Sequence, residues 1–281
     1  MNPLITVNWL ESHISDHNLI VLDATLPPVG LSPAPDVRGR YVEAHLPGAV
    51  YFDIEEFSDH ISGLPHTLPS AEEFSRKASA LGVGDGMTIV IYEQEGVFSA
   101  PRAWWMFRTF GAERVFLLDG GLKAWIAAGL VVESGDVRRE PASFTAALDH
   151  DAVRDFAAVQ EMISAKAQIL DARSAGRFAG SAPEPRAGLS SGHMPGATSV
   201  PFTELVEQGS LKSPEKLREV FAAKHVDLDA PITTTCGSGV TAAVVALGLE
   251  IAGAKNVSLY DGSWAEYAQR PDAVIEKADK G

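Results

Sequence analysis

Residues 231–253, PITTTCGSGVTAAVVALGLEIAG, join a short β-branched segment to a long apolar segment through a loop that contains two glycines. The first five residues have the pattern of a buried strand, and the residues from about Val240 onward favour a helix. Cys236, the only cysteine of the chain, lies between them. The stretch predicts an α/β fold with the thiol at the carboxyl edge of a parallel sheet, where such folds bind ligands.

The same alternation of short apolar segments and helical patterns runs through the whole chain. Two further segments, 70–82 and 213–225, begin with a serine cap followed by acidic residues, and we expect helices there. The predicted buried strands are LIVLDA (19–24), MTIVIY (87–92), RVFLLD (114–119), QILDA (168–172), PITTT (231–235) and NVSLY (256–260). Strands that alternate with helices predict open, mostly parallel sheets flanked by helices.

The chain also repeats itself, with three blocks of the first half recurring in the same order in the second. The pairs are VLDAT (21–25) with ILDAR (169–173), HLPGAVYFD (45–53) with HMPGATSVPF (193–202), and FLLDGG (116–121) with SLYDGS (258–263). A repeat of this size predicts two homologous domains in tandem. We expect an N-terminal domain over 1–135, a polar linker over 136–154 and a C-terminal domain over 155–281.

Composition and charge exclude several classes of protein. The chain has 281 residues, of which 46% are hydrophobic and 21% charged, as in ordinary globular proteins. Its net charge of −14 argues against nucleic acid or an anionic membrane as a partner. The apolar runs are too short to cross a bilayer, and the first residues lack the features of a secretion signal. A single cysteine suits a reducing compartment, so we expect a cytoplasmic location.

Cys236 has two main interpretations. A free cysteine is commonly a small buried hydrophobe, whereas this one precedes a glycine-rich loop and a helix N-terminus, which both stabilise an anion. Gly237 and Gly239 allow the backbone to curl so that N–H groups point at the thiolate. These features favour a nucleophile. A metal site is disfavoured because one cysteine offers no paired-ligand spacing, and we expect neither a metal nor a cofactor.

The chain resembles the tandem-domain sulfurtransferases of the rhodanese superfamily along nearly its whole length. The repeated LDA, H-x-PGA and LDGG blocks carry the resemblance, together with SAPRAWWMFRTFG (99–111) and YDGSW (260–264). The loop CGSGVT (236–241) looks like that of the 3-mercaptopyruvate sulfurtransferases, whereas thiosulfate sulfurtransferases have Arg-Lys after the cysteine. The resemblance implies a catalytic C-terminal domain and an N-terminal domain without the nucleophile, in which Glu93 aligns with Cys236.

The same resemblance implies roles for particular residues. Cys236 would carry the sulfur as a persulfide, while Arg177 and Arg186 would bind the carboxylate and keto oxygen of the donor. Ser238 would work with His66 and Glu55 to protonate the leaving enolate, and many relatives have Asp where Glu55 stands. The loop residues expected to contact the donor are Gly237, Gly239, Val240 and Thr241. The expected partners are a small-molecule sulfur donor and an acceptor, either cyanide or a thiol such as that of thioredoxin.

Three alternatives remain open at this stage. The first is a thiosulfate:cyanide sulfurtransferase, although neutral Gly237 and Ser238 suit a dianionic donor less well than cations would. The second is a protein that relays a persulfide with little free turnover. The third, a cysteine phosphatase, needs an arginine that closes the phosphate loop, and no arginine occurs between Cys236 and Gln269.

Overall fold

Two five-stranded parallel sheets form the framework of the protein in the computed structural model, which describes residues 2–278. One unit comprises the chain up to Asp59 together with Leu68–Asp149 and Gln208–Ser210. The other comprises His60–Thr67, His150–Glu207 and the chain from Leu211 onward. Each unit has its own sheet and core, so the predicted pair of α/β domains with parallel sheets is confirmed.

The first unit is built on a sheet with the strand order β1-β5-β4-β2-β3, and all four strand pairs are parallel. Its strands are β1 (Leu4–Ile5), β2 (Leu19–Asp23), β3 (Val50–Tyr51), β4 (Thr88–Tyr92) and β5 (Val115–Leu118). Its helices are α1 (Val7–His13), α2 (Val37–Glu43), α3 (Ala71–Ala80), α4 (Ala100–Thr109) and α5 (Gly121–Ala127). Helix α3 follows the prediction, since the Ser70 hydroxyl accepts from the Glu73 N–H at 3.2 Å.

The core of the first unit includes a group of packed phenylalanine rings. Phe74 lies 4.2 Å from Phe110 and 5.1 Å from Phe107, measured between ring centroids. Phe144 joins this group at 5.9 Å from Phe74, although it comes from the segment predicted as a linker. The polar segment around Phe144 therefore packs against α3 and α4. Burial of this one aromatic ring removes apolar surface from water and holds the segment against the two helices.

The second unit has the strand order β6-β12-β11-β7-β8, again with parallel pairs. Its sheet strands are β6 (Val153–Arg154), β7 (Gln168–Asp171), β8 (Thr198–Ser199), β11 (Ile232–Thr235) and β12 (Val257–Tyr260). A hairpin consists of β9 (Val206–Glu207) and β10 (Ser210–Leu211). The helices are α6 (Phe156–Ser164), α7 (Ala175–Ala179), α8 (Pro214–Ala223), α9 (Val240–Ala252) and α10 (Ser263–Tyr267), with a 3₁₀ turn at Phe202–Leu205.

The two sheets have one topology, because each strand of the first has a counterpart at the same place in the second. The central strands β4 and β11 therefore correspond, and the residues that directly follow them are Glu93 and Cys236. In the second sheet, Thr235 pairs with Asp171, so β7 and β11 end at the same level. This register brings the segments after β7 and β11 together at the carboxyl edge.

The predicted domain boundaries stay a prediction. Residues 136–149 belong to the first unit, and β6 forms from the last two residues of the predicted linker. The segment His60–Thr67 is part of the second unit, although it lies in the first half of the sequence. Among residues 2–278, no helix combines the length and the apolar character needed to cross a membrane.

Candidate active site

The Cys236 side chain is buried at the end of β11, with 2% of the residue exposed. Its backbone is fixed on both sides by the turn that leads into α10. The Cys236 N–H donates to the Ser263 hydroxyl at 3.3 Å, and the Cys236 carbonyl accepts from the Trp264 N–H at 2.9 Å. The Gly237 carbonyl accepts from the Ala265 N–H at 2.9 Å. The thiol is thus attached to a rigid backbone, as a positioned nucleophile requires.

The two glycines of the loop are needed for different reasons. Gly239 has φ = +80°, a left-handed conformation that side chains disfavour, and it directly precedes α9. Gly237 is limited by space, because a Cβ atom there would lie 2.9 Å from Arg177 Nη2 and 3.7 Å from Arg186 Nη1. The loop therefore brings its backbone close to two guanidinium groups. Val240 and Thr241 form the first turn of α9, whose N–H groups lack partners within the helix.

Ser238 lies between a cation and a histidine. Its hydroxyl oxygen is 3.2 Å from Arg186 Nη2, which donates, and 2.8 Å from His66 Nδ1. Because a guanidinium has no acceptor, the serine proton remains available for His66 Nδ1. Both Ser238 and His66 are buried, and His66 has φ = +62°, which is uncommon for a residue other than glycine. A strained, buried residue of this kind is typical of a functional site.

Glu55 is the one predicted site residue that belongs to the first unit. It is exposed, and its N–H donates to Asp53 Oδ1 at 2.9 Å. The other predicted site residues all belong to the second unit. They lie on α7, on the loop that follows it, on the loop after β11, on the first turn of α9 and on the segment that carries His66. The roles of these residues, and that of Glu55, stay predictions.

A buried ion network lies beside the loop, and its member Glu184 was not singled out by the sequence analysis. Arg173 follows β7 and contacts both Asp171 oxygens, with the shortest distance 2.6 Å, and Glu184 Oε1 at 2.8 Å. Burial works to lower the pKa of Arg173, but its pairing with Asp171 and Glu184 outweighs burial and raises it. Glu184 also accepts from Arg177 Nε at 3.0 Å. The alternating acids and bases in LDAR and PEPR are the signal that could have indicated it.

In the first unit, the loop after β4 holds a carboxylate at the place of the thiol. Glu93 Oε1 accepts from the N–H groups of Phe98 at 2.7 Å, of Ser99 at 3.2 Å and of Ala100 at 3.2 Å. Burial raises the pKa of Glu93 to about 7, against the opposing effect of these hydrogen bonds. The Glu93 carboxyl group is thus the acceptor for the N–H groups of its own loop.

Metal ligands are not grouped in the described structure. Among residues 2–278, no three or more His, Cys, Asp or Glu side chains are placed to hold a metal ion. The guanidinium groups of Arg177 and Arg186 lie beside the loop that holds Cys236 and supply N–H donors there. This is the donor set that a reacting anion needs.

Comparison with known proteins identifies the class. A sequence profile of the rhodanese-like domain matches residues 6–128 and again residues 155–270. These two matches cover most of the chain and correspond to the two sheets of equal topology. The chain belongs to the rhodanese family.

The similarity to individual members extends over nearly full length. The chain is 44% identical over 276 residues to the 3-mercaptopyruvate sulfurtransferase of Escherichia coli strain K12, with 97% of each chain covered. It is 40% identical over 289 residues to the thiosulfate sulfurtransferase of Rattus norvegicus, covering 99% of this chain and 96% of the relative. The crystal structure of SseA from Escherichia coli, a 3-mercaptopyruvate sulfotransferase with the rhodanese fold, superimposes with a TM-score of 0.87 at 43% identity. That superposition covers 95% of this chain and 100% of SseA.

Proposed function

We propose that the protein is a 3-mercaptopyruvate sulfurtransferase, which moves the sulfur of its donor to an acceptor through a persulfide on Cys236 and releases pyruvate. The observation that carries the proposal is the close approach of Arg177 and Arg186 to the loop that holds the only thiol. A relative with this name, 44% identical over 97% of both chains, supports the same donor.

The donor is recognised by charge and planarity. A guanidinium presents parallel N–H donors that match a carboxylate or a neighbouring keto oxygen. Arg177 Nη2 and Arg186 Nη1 both lie near Gly237, one residue from Cys236. A keto acid held by these groups would place the carbon that bears its sulfur toward the thiol. Such placement contributes to the rate because the reacting atoms start near their attack geometry.

The first half-reaction forms a sulfur–sulfur bond and breaks a carbon–sulfur bond. The Cys236 thiolate attacks the donor sulfur, and the carbon–sulfur electron pair stays with the carbon as the enolate of pyruvate. A persulfide is left on Cys236, and the enolate takes up a proton to become pyruvate. The hydroxyl of Ser238 and the imidazole of His66, 2.8 Å apart, form a pair that can deliver this proton. We propose that Glu55 assists His66. Compared with an aspartate at this position, it carries the same negative charge on a longer side chain.

The second half-reaction returns the enzyme to its thiolate. An acceptor thiolate attacks the outer sulfur of the persulfide, the sulfur–sulfur bond to Cys236 breaks, and the acceptor leaves as a persulfide. Cyanide reacts in the same way and leaves as thiocyanate. A dithiol protein of the thioredoxin kind is a suitable acceptor because its second thiol can release the transferred sulfur as sulfide. A cytoplasmic location suits this chemistry, since Cys236 is a free thiol.

Thiosulfate is the second candidate donor, and the 40% identity to a thiosulfate sulfurtransferase favours it. The thiosulfate dianion concentrates more charge than a keto acid and gains more from cations beside the nucleophile. The positions next to Cys236 are neutral, and one carboxylate of the site, Glu184, accepts from Arg177. We therefore expect thiosulfate to be the slower donor. A persulfide relay with little turnover would differ by releasing pyruvate only once per protein molecule.

The proposal is tested by following the sulfur. Wild-type protein is incubated with 3-mercaptopyruvate, and the intact mass and the peptide that contains Cys236 are measured, with released pyruvate assayed in the same sample. We expect one added sulfur on Cys236 and repeated turnover once a thiol is supplied. Pyruvate, which lacks the sulfur, serves as the control and should add no mass. A lack of added sulfur, or sulfur on another residue, would rule out the mechanism.

A further inference from the structure

Glu184 is a buried carboxylate whose two oxygens are bound by different arginines. Its side chain is only 2% exposed. Oε1 accepts from Arg173 Nη1 at 2.8 Å, whereas Oε2 accepts from Arg177 Nε at 3.0 Å and from Arg177 Nη2 at 2.5 Å. Arg173 is fully buried, but the Arg177 side chain is 22% exposed and reaches the Cys236 loop. Glu184 therefore connects a fixed arginine to one that faces the reacting groups.

The fixed end of this connection is tied to the same backbone as the thiol. Arg173 Nη2 donates to the Gly192 carbonyl at 2.6 Å, and its guanidinium lies 4.0 Å from the centre of the Trp264 ring. Trp264 is the residue whose N–H binds the Cys236 carbonyl. Arg173 has both edges and one face occupied, so it cannot follow a movement of Arg177. Glu184 holds Arg177 against a rigid support.

We propose that Glu184 is a positioning residue that sets the choice of sulfur donor. It orients Arg177 so that Nη2 lies beside Gly237, and it places one negative charge next to that guanidinium. The inference takes the sulfur donor from the proposed function. It adds Glu184, a residue that neither contacts the donor nor carries sulfur.

Two physical effects follow from one carboxylate. The first is orientation: because Glu184 takes the Nε side of Arg177, Nη1 and the second Nη2 proton are left for the donor, and little side-chain entropy remains to be lost on binding. The second is charge: Asp171 with Arg173 and Glu184 with Arg177 form two neutral pairs. A site balanced in this way attracts a dianion less strongly than unpaired arginines would, which favours a keto acid over thiosulfate.

Two substitutions separate these effects. Glu184→Gln keeps the shape and removes the charge, whereas Glu184→Asp keeps the charge and shortens the reach. For mercaptopyruvate, both should lower kcat/KM about ten- to a hundredfold, mainly through KM, because Arg177 loses its support. The loss in kcat/KM that Glu184→Gln causes should be about tenfold smaller for thiosulfate than for mercaptopyruvate. Glu184→Asp should show a smaller difference between the two donors. Glu207→Gln, which removes an exposed charge paired with Lys216 in the same unit, is the matched control.

A measurement without turnover keeps the inference separate from the proposed function. In wild-type protein, the Nε–H of Arg177 should give a slowly exchanging NMR signal, assigned by its disappearance in Arg177→Lys. The signal should exchange much faster in Glu184→Gln and be unchanged in Glu207→Gln. If wild type fails to use mercaptopyruvate, the proposed function is wrong, yet this signal still tests the orientation of Arg177.

The outcomes are distinct. A shift in donor ratio with loss of the protected Nε–H supports the role of Glu184. Equal losses for both donors, accompanied by a lower unfolding temperature, would mean that Glu184 only maintains the fold. A protected signal that persists in a folded Glu184→Gln protein would also overturn the inference. Should that variant fail to fold, Glu184→Asp and the exchange rate in wild type decide the question.

Discussion

The loops after β4 and after β11 begin at the same place in two sheets of equal topology, but one holds a carboxylate and the other a thiol. The first runs through Gln94–Ser99 before α4 begins, and its N–H groups surround the Glu93 side chain. The second has only Gly237–Gly239 before α9, and two arginine side chains approach it instead. The N–H groups of the longer loop bind a carboxyl group of the same loop, whereas the shorter loop has two guanidinium groups beside it.

One backbone hydrogen bond is common to the two loops. Leu122 N–H donates to the Glu93 carbonyl at 3.1 Å, as Trp264 N–H does to the Cys236 carbonyl at 2.9 Å. The scaffold therefore fixes the position of the first loop residue in both units. The two units differ in the side chain at that residue and in the presence of arginines beside it. The contribution of the loop can therefore be measured separately from that of the arginines.

The largest expected effect comes from moving the thiol. Glu93→Cys combined with Cys236→Ser should retain the fold and lose sulfur transfer by more than about a thousandfold, because Arg177 and Arg186 belong to the other unit. Steady-state assays with both donors measure this, and Glu93→Cys alone controls for damage to the scaffold. Efficient transfer by the relocated thiol would show that a loop of backbone N–H groups is sufficient without the arginines.

The second prediction concerns the pH dependence of the Glu93 loop. Burial raises the pKa of Glu93 to about 7, so the folded protein binds more protons than the unfolded chain between about pH 4.5 and 7. The stability contributed by this carboxyl is therefore complete below that window and is lost as pH rises through it, by up to about 3 kcal/mol. Carbon-13 NMR of the carboxyl should show a midpoint near neutrality.

Two variants give this titration its control. Glu93→Gln removes the signal and should flatten the difference in stability between acidic and neutral pH. Glu95→Gln changes an exposed carboxylate in the same loop and should leave both unchanged, since its side chain is 62% exposed. A midpoint near the ordinary value for glutamate would mean that the N–H groups stabilise the anion as much as burial opposes it.

The third prediction addresses the arginines of the Cys236 loop. Arg177→Ala or Arg186→Ala removes a bidentate partner of a carboxylate, which lowers efficiency with mercaptopyruvate about ten- to a hundredfold. The loss with thiosulfate should be smaller. Arg218→Ala, an exposed arginine on α8 of the same unit paired with Glu215, is the control and should change neither value. Equal losses with the two donors would assign the arginines to support of the loop.

Local patterns were sufficient to predict much of this molecule. The strand before each loop, the helix that begins at Val240 and the helices capped by Ser70 and Ser213 follow from short-range rules, and the structure has them where the sequence indicates. Cys236 stood out because glycines and a helix start surround it. These features depend only on neighbours in the chain.

The features that sequence analysis missed depend on distant partners. Glu184 lies in a proline-containing loop and has the appearance of a solvated acid, and only the buried Arg173 explains why it is inside. Phe144 belongs to a polar segment, but it packs in a core that other parts of the chain supply. Burial of a single charged or aromatic residue in an irregular segment leaves no hydrophobic period in the sequence, so periodicity does not predict it.

The smallest expected effect concerns Ser263, which contacts the Cys236 loop and has a glycine as its counterpart in the first unit. Gly121 of the first unit has φ = +56°, and its counterpart Ser263 has φ = +50°, a conformation that costs a serine more than a glycine. The Ser263 hydroxyl donates to the Tyr260 carbonyl at 2.8 Å and accepts from the Cys236 N–H. The second unit thus accepts a strained residue where the first has glycine, in exchange for one hydrogen bond at the nucleophile.

Two substitutions distinguish the strain from the hydroxyl. Ser263→Gly removes both, so its unfolding free energy should stay within about 1 kcal/mol of wild type, whereas Ser263→Ala keeps the strain and should be less stable. Because both lose the bond to Cys236, both should transfer sulfur about two- to tenfold more slowly, with KM for mercaptopyruvate unchanged. Activity that follows stability, with Ser263→Gly as fast as wild type, would show that the hydroxyl supports the turn and has no part in positioning the thiol.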